Sequence, residues 1–207
     1  EDGLERKITY GQLVDAAGAV AQGLLEQGLR RHETVALMLP TGSDFFFTFF
    51  GILFAGGIPV PLYPPARMDQ IEEYARRQIA ILHKADARFL IASGRVERLA
   101  RLLRPLVPSL ADVTTFEALS RSSSERPKVD LRAEDPALIQ FTSGSTGLPK
   151  GVLLAHENIL ANIRAIGRSA RIGPGDACVS WLPLYHDMGL IGSWLGALYF
   201  GIPITIL

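Results

Sequence analysis

The chain has 207 residues, with 21 Lys and Arg against 21 Asp and Glu, and its zero formal charge removes the simplest electrostatic argument for a nucleic-acid binder. Hydrophobic residues make up 48% and charged residues 20%, which argues against disorder and allows a proper buried core. One cysteine, Cys178, excludes a disulfide framework and a cysteine-rich zinc site, and it fits a reducing compartment.

The opening residues, EDGLERKITYGQ, are charged and lack the apolar stretch of a signal peptide. From Tyr10 to Gln27, Leu13, Ala16, Ala17, Val20, Ala21, Leu24 and Leu25 fall on one helical face, and Gly28 supplies a stop. TVALMLP (34–40) reads as a buried strand. Residues 43–55 form a Phe-rich helix, apolar nearly all round and therefore buried on most sides, with Ser43 or Asp44 placed to cap it. In GIPVPLYPP, Pro59, Pro61, Pro64 and Pro65 force an extended path. Asp69 can then cap a helix with Ile71, Tyr74, Ala75, Gln78, Ile79 and Leu82 on one face. RFLIAS (88–93) is another strand, and 95–104 another helix. Repeated strand–helix units predict an α/β fold, a parallel sheet flanked by helices.

Residues 121–136, RSSSERPKVDLRAEDP, break this rhythm and read as a surface connection at a subdomain boundary. ALIQF (137–141) is a strand. A helix at about 157–170, a strand near 177–181, a buried helix from Met188 to about Phe200 and a strand from about Ile204 complete the chain. Phe45 to Val60 is uncharged but, at 16 residues, short for a membrane span. Met188 to Leu207 is long enough, yet Gly201 and Pro203 break it, so no span is expected. The chain opens on Glu1 and stops inside the apolar run GIPITIL. The expectation is a piece of a longer protein, with strand edges that aggregate when uncovered.

The segment FTSGSTGLPKG (141–151) carries four hydroxyls (Thr142, Ser143, Ser145, Thr146), three glycines (Gly144, Gly147, Gly151) and one cation, Lys150. Glycines let backbone N–H groups converge on a point, hydroxyls add donors, and lysine adds charge, so an anion such as a polyphosphate is the natural guest. Composition alone leaves an ordinary surface turn equally open. The spacing matches neither G-x-x-x-x-G-K-[ST] nor G-x-G-x-x-G.

The ordered string TSGSTGLPKG resembles the phosphate-loop signature of the adenylate-forming enzymes: acyl-CoA synthetases, fatty-acyl-AMP ligases and peptide-synthetase adenylation domains. ITYGQL upstream resembles that family's opening and WLPLYHDMGLIG (181–192) its second motif, so the resemblance covers essentially all 207 residues. It implies an incomplete N-terminal AMP-binding domain over 1–207, lacking the family's mobile C-terminal lid. It also implies ATP with Mg2+ as cofactors, and no metal ligand among these residues. By resemblance Thr142, Ser143, Gly144, Ser145, Thr146, Gly147 and Lys150 hold the phosphates. His186, as a lone histidine, would ordinarily be structural. The resemblance places it between the acyl and nucleotide pockets as the catalytic candidate, with Met188 and Gly189 beside it on the substrate side. Gly189, Gly192 and Gly196 either line an acyl tunnel or only allow close helix packing.

VPLYPPARMDQIEEYARRQIAIL, with its Tyr-Pro-Pro segment and Arg-bearing helix, resembles the fatty-acyl-AMP ligases more than ordinary acyl-CoA synthetases. The implied activity is cytoplasmic activation of a fatty acid to acyl-AMP, then transfer to an acyl carrier protein, with coenzyme A as the alternative acceptor. The partners implied are the fatty acid, the acceptor and the remainder of the chain. Two readings of other classes stay open: a non-catalytic nucleotide- or anion-binding module, and a membrane-associated piece.

Overall fold

The computed structural model describes residues 5–65, 71–94, 96–122, 126–142 and 149–207. Helix α1 (Tyr10–Glu26) starts at Thr9, whose hydroxyl accepts from the Gln12 amide while the Gln12 side chain accepts from the Thr9 amide. It stops where expected, at Gly28 with φ of 88°. Strand β1 (Thr34–Met38) is buried at all five positions. Helix α2 (Ser43–Phe54) departs from expectation at its start. Its cap is Gly42, without a side-chain bond, and the Ser43 hydroxyl instead donates to the Asp44 carboxylate within the first turn.

Strand β2 (Ile58–Pro61) turns the Pro-rich path into an edge strand parallel to β1. The amides of Ile58 and Leu62 donate to the Glu33 and Leu37 carbonyls, on the β1 side. Pro59 and Pro61 alternate with those donors, so the missing N–H groups fall on the outer edge. Helix α3 (Ile71–Lys84) follows. The expected Asp69 cap lies outside the described residues. Strand β3 (Ala87–Ala92), helix α4 (Glu97–Leu103), a 3-10 turn (Arg104–Leu106), strand β4 (Asp112–Thr114) and the short helix α5 (Phe116–Leu119) complete this half. The four strands form one parallel sheet in the order β2-β1-β3-β4.

Alternation along the strands divides the core in two. Val35, Leu37, Phe89 and Ile91 join one apolar cluster with Leu24, Phe45, Phe49 and Ile52 from α1 and α2. Ala36, Met38, Leu90 and Ala92 join another with Tyr74, Leu82, Ala100 and Leu103 from α3 and α4. Both faces are covered, as a parallel sheet requires.

The second half is not parallel throughout. Strand β5 (Pro136–Thr142) pairs antiparallel with β6 (Lys150–Ala155), a strand absent from the sequence reading. Helix α6 (His156–Ala170) follows, its entry bonded through Asn158, whose side chain accepts from the Ala155 amide. Strand β7 (Cys178–Ser180) pairs parallel with β8 (Ile204–Ile206). The expected buried helix is present in two parts. Met188–Leu195 has π-type hydrogen bonding, and α7 (Gly196–Phe200) continues it. Trp194 of the π-helical part packs on Phe45, Phe46, Phe49 and Phe50, with ring centroids 4.9–6.0 Å apart. That packing joins the second half to α2. Among the described residues, no helix is long and apolar enough to cross a membrane.

Candidate active site

Strand β5 carries the chain from the buried Leu138 to the exposed Thr142, and β6 returns from the exposed Lys150. Thr142 and Lys150 are direct partners in the antiparallel register, so the residues that flank the hydroxyl- and glycine-rich segment are paired. Ser143, Gly144, Ser145, Thr146 and Gly147 lie outside the described residues. A cation not read from the sequence reaches the loop's return. Lys84, at the end of α3, donates to the Pro149 carbonyl at 3.2 Å. The Lys150 carbon stem and ammonium are left at an exposed position beside Thr142.

Residues 181–187 form the other wall. Leu184 is buried and anchors the segment, while the His186 amide donates to the Pro183 carbonyl in a tight turn. The imidazole of His186 lies 2.7 Å, Nδ1 to Oδ1, from Asp187, and both side chains are exposed. The same Asp187 oxygen accepts from the Met188 amide at 2.8 Å and so caps the π-helical turn. This contact orients the ring, since a neutral imidazole bonded at Nδ1 presents Nε2 outward. Gly189 is needed where it stands: a Cβ there would fall 2.4 Å from the Pro183 carbonyl oxygen.

The two walls meet in a cavity of about 490 Å³ whose lining includes Tyr63, Arg77, Gln140, Thr142, Tyr185 and His186. Thr142 and His186 are therefore brought to one space, as the motif reading requires. Lys150, Met188 and Gly189 do not line it. Met188 is exposed on the adjoining π-helical turn, and Gly189 is buried beneath it. Arg77 stacks its guanidinium 5.7 Å from the Tyr63 ring centroid, and Tyr63 in turn meets Tyr74 and Tyr185 at 5.3 and 5.7 Å. Burial, with Tyr63 beside it, pushes the Tyr74 phenol above its usual range. It stays neutral and donates to the Tyr63 carbonyl at 2.8 Å. These aromatic and cationic groups were not assigned to the site from sequence. The signal for them is the Tyr-Pro-Pro segment and the Arg-bearing helix.

Two other cavities differ in kind. One of about 530 Å³ lies between residues 172–177 and 200–203. The one carboxylate there, Asp176, is occupied in accepting from the Gly173 amide. Another, of about 350 Å³, is apolar and lies between α1, α2, α6 and α7, with Phe49, Phe50, Leu53, Leu160 and Leu198 in its wall.

An α/β domain in which Thr142, at the end of β5, and His186 line one cavity is similar to the N-terminal part of adenylate-forming enzymes. The family model for the AMP-binding enzymes matches residues 2–207, and the chain belongs to that family. It is 34% identical over 197 residues to a protein of Caulobacter vibrioides provisionally named an acyl-CoA synthetase, covering 94% of this chain and 34% of that one. It is 28% identical over 204 residues to a medium-chain-fatty-acid–[acyl-carrier-protein] ligase of Moorena producens, covering 97% of this chain and 34% of the relative. Among solved structures it resembles the fatty acyl-adenylate ligase of L. pneumophila in complex with acyl adenylate and pyrophosphate. The TM-score is 0.84 and the identity 33%, over 100% of this chain and 35% of that one. The chain thus spans about a third of the length of these relatives.

Proposed function

We propose that the protein carrying this chain activates a fatty acid with ATP in the cytoplasm and passes the acyl group to an acyl carrier protein. In the first step a carboxylate oxygen attacks the α-phosphorus of ATP. A new carbon-bound-oxygen to phosphorus bond forms, the bond to the bridging oxygen breaks, and pyrophosphate leaves with the electron pair. The observation that carries this reading is the convergence of Thr142, the loop's first residue, and His186 on one cavity in a chain of the AMP-binding family.

In this reading Thr142, Ser143, Gly144, Ser145, Thr146, Gly147 and Lys150 hold the β- and γ-phosphates. Lys150 supplies a fixed charge rather than a proton. His186 shapes the junction where carboxylate meets α-phosphate, with Met188 and Gly189 on its acyl side. Magnesium supplies charge screening on the phosphates when bound. No residue of this chain is assigned to the ion. An aliphatic acid is supported by the apolar cavity beside the helix that continues from His186. A carrier protein as acceptor is supported by the Moorena producens relative, and coenzyme A by the name of the Caulobacter vibrioides one.

The test is fatty-acid-dependent exchange of labelled pyrophosphate into ATP by the full-length protein, followed by thioester formation with a carrier protein or coenzyme A. Exchange that is absent overturns the proposal in favour of a non-catalytic nucleotide-binding module. Thioester formation with coenzyme A alone reassigns the acceptor. We also propose that residues 1–207 form one part of the adenylating domain, with 121–136 as an internal connection. Exchange by the isolated 207 residues would overturn the idea that other segments supply catalytic groups.

A further inference from the structure

Gln140 is a polar residue in an apolar strand and only 6% exposed. It stands two positions before Thr142 on β5, so the two side chains project from the same face. Its Nε2 donates to the carbonyl oxygen of Tyr185, at 2.5 Å. Tyr185 immediately precedes His186. Among the described residues, this is the only hydrogen bond that reaches residues 181–187 from beyond 180–190. The other bonds of that segment are local: His186 to Pro183, Leu182 to Ser180, Met188 to Asp187, Leu190 to His186.

A carbonyl oxygen accepts but cannot donate, so the bond fixes which way the amide points. Oε1 is then left buried with no partner, in a residue that lines the shared cavity. A buried amide half satisfied is retained at a cost, while leucine or methionine would fill the same volume without it. The strand that ends in the phosphate loop therefore grips, through one side chain, the segment that presents His186.

We propose that Gln140 is a positioning residue, holding His186 in register with the loop that opens at Thr142. One strand then sets both sides of the reaction: its end carries Thr142, and the Gln140 side chain holds the carbonyl of the residue before His186. The inference rests on the adenylation reading above.

The experiment is a double-mutant cycle in the full-length protein, read by fatty-acid-dependent pyrophosphate exchange. The variants are Gln140→Met, Gln140→Glu, His186→Ala and each Gln140 variant combined with His186→Ala. Loss of one positioning bond predicts that Gln140→Met lowers kcat about tenfold with the KM for ATP within about twofold. Gln140→Glu, which sets a carboxylate oxygen against the Tyr185 carbonyl, falls at least as far. In the His186→Ala background the same changes cost less than about twofold, because the group they position is gone. Equal losses in both backgrounds would show a merely structural side chain and overturn the proposal. So would an unchanged kcat in either single variant. If Gln140→Met does not fold, the Gln140→Glu arm carries the same cycle. A wild-type protein without exchange removes the adenylation reading itself, whereas an active wild type with additive variants removes only the positioning role.

Discussion

The parallel sheet and the hairpin half are built from similar apolar residues and end in opposite states. Strand β1 is buried along its whole length, with its side chains shared between two cores. Strand β6 is exposed over its first four residues, including Val152 and Leu153. In the same half, Val179, Trp181 and Met188 are exposed as well. The first region buries its strands on both faces, one of them in a core shared with Leu138 and Trp194. The second gives up burial and presents side chains to open space. Of the residues proposed for chemistry, Thr142 and His186 line one cavity at the seam, where β5 passes from one environment to the other.

The seam itself should be the most costly place to cut. Phe49 is fully buried and sits 5.4 Å from Trp194 and 6.1 Å from Phe45, ring centroid to ring centroid. Phe49→Ala is expected to lose about 3–5 kcal/mol in chemical denaturation. A loss under about 1 kcal/mol would mean that the halves do not share a core. Gly189→Ala comes next, because its Cβ would press on the Pro183 carbonyl. Overpacking of this kind costs about 1–3 kcal/mol, and the pyrophosphate-exchange rate should fall with it, since the same turn presents His186.

Asp135, at the entry to β5, tests the seam through pH. Its carboxylate accepts from the Arg132 amide at 2.8 Å and from the Arg31 guanidinium, with His32 at 3.3 Å. The backbone bond from Arg132 first, then Arg31, lower its pKa from 3.8 to about 2. A depressed carboxylate pKa gives stability that is complete above the unfolded value and lost as pH falls through the folded one. The wild type should therefore lose stability between about pH 4 and about pH 2 at this site, and Asp135→Asn should lack that component of the acid transition. Identical acid limbs would contradict the assignment.

Tyr10→Phe removes a 2.9 Å bond from the phenol to the Leu198 carbonyl, which ties α1 to α7 at an exposed position. About 0.5–1 kcal/mol is expected, measured by thermal unfolding. Leu153→Ser on the exposed face of β6 should stay within about 0.5 kcal/mol. A larger loss there would erase the distinction between the two regions.

The sequence is most informative where one pattern settles the matter. The short apolar runs TVALM and RFLIA, repeated with helices between them, yield the parallel sheet with helices on its faces, and TSGSTGLPK with LYHDMG yields the family. The rest depends on partners that spacing does not reveal. Val152, Leu153 and Leu154 form a strand only because β5 offers its edge in register, so β6 is invisible alone. The π-type turn of 188–195 has the same apolar content as an α-helix. Ser43 and Asp44 are good capping residues, yet they bond each other while Gly42 takes the cap. Arg77 reaches the cavity, and Lys84 the Pro149 carbonyl, through the placement of α3, which no local pattern encodes, while Tyr63 reaches the cavity from the end of β2. Gln140 carried a visible signal, a lone amide inside ALIQF, whose meaning needed the Tyr185 carbonyl opposite it.

In the proposed reaction, Lys150 and the segment before it hold the phosphates during acyl-adenylate formation. The most direct measurement of this role is Lys150→Ala in the full-length protein, read by fatty-acid-dependent pyrophosphate exchange. Removing one fixed charge from the leaving β- and γ-phosphates predicts a loss of about a hundredfold or more. Acyl-AMP formation at the wild-type rate would contradict the account.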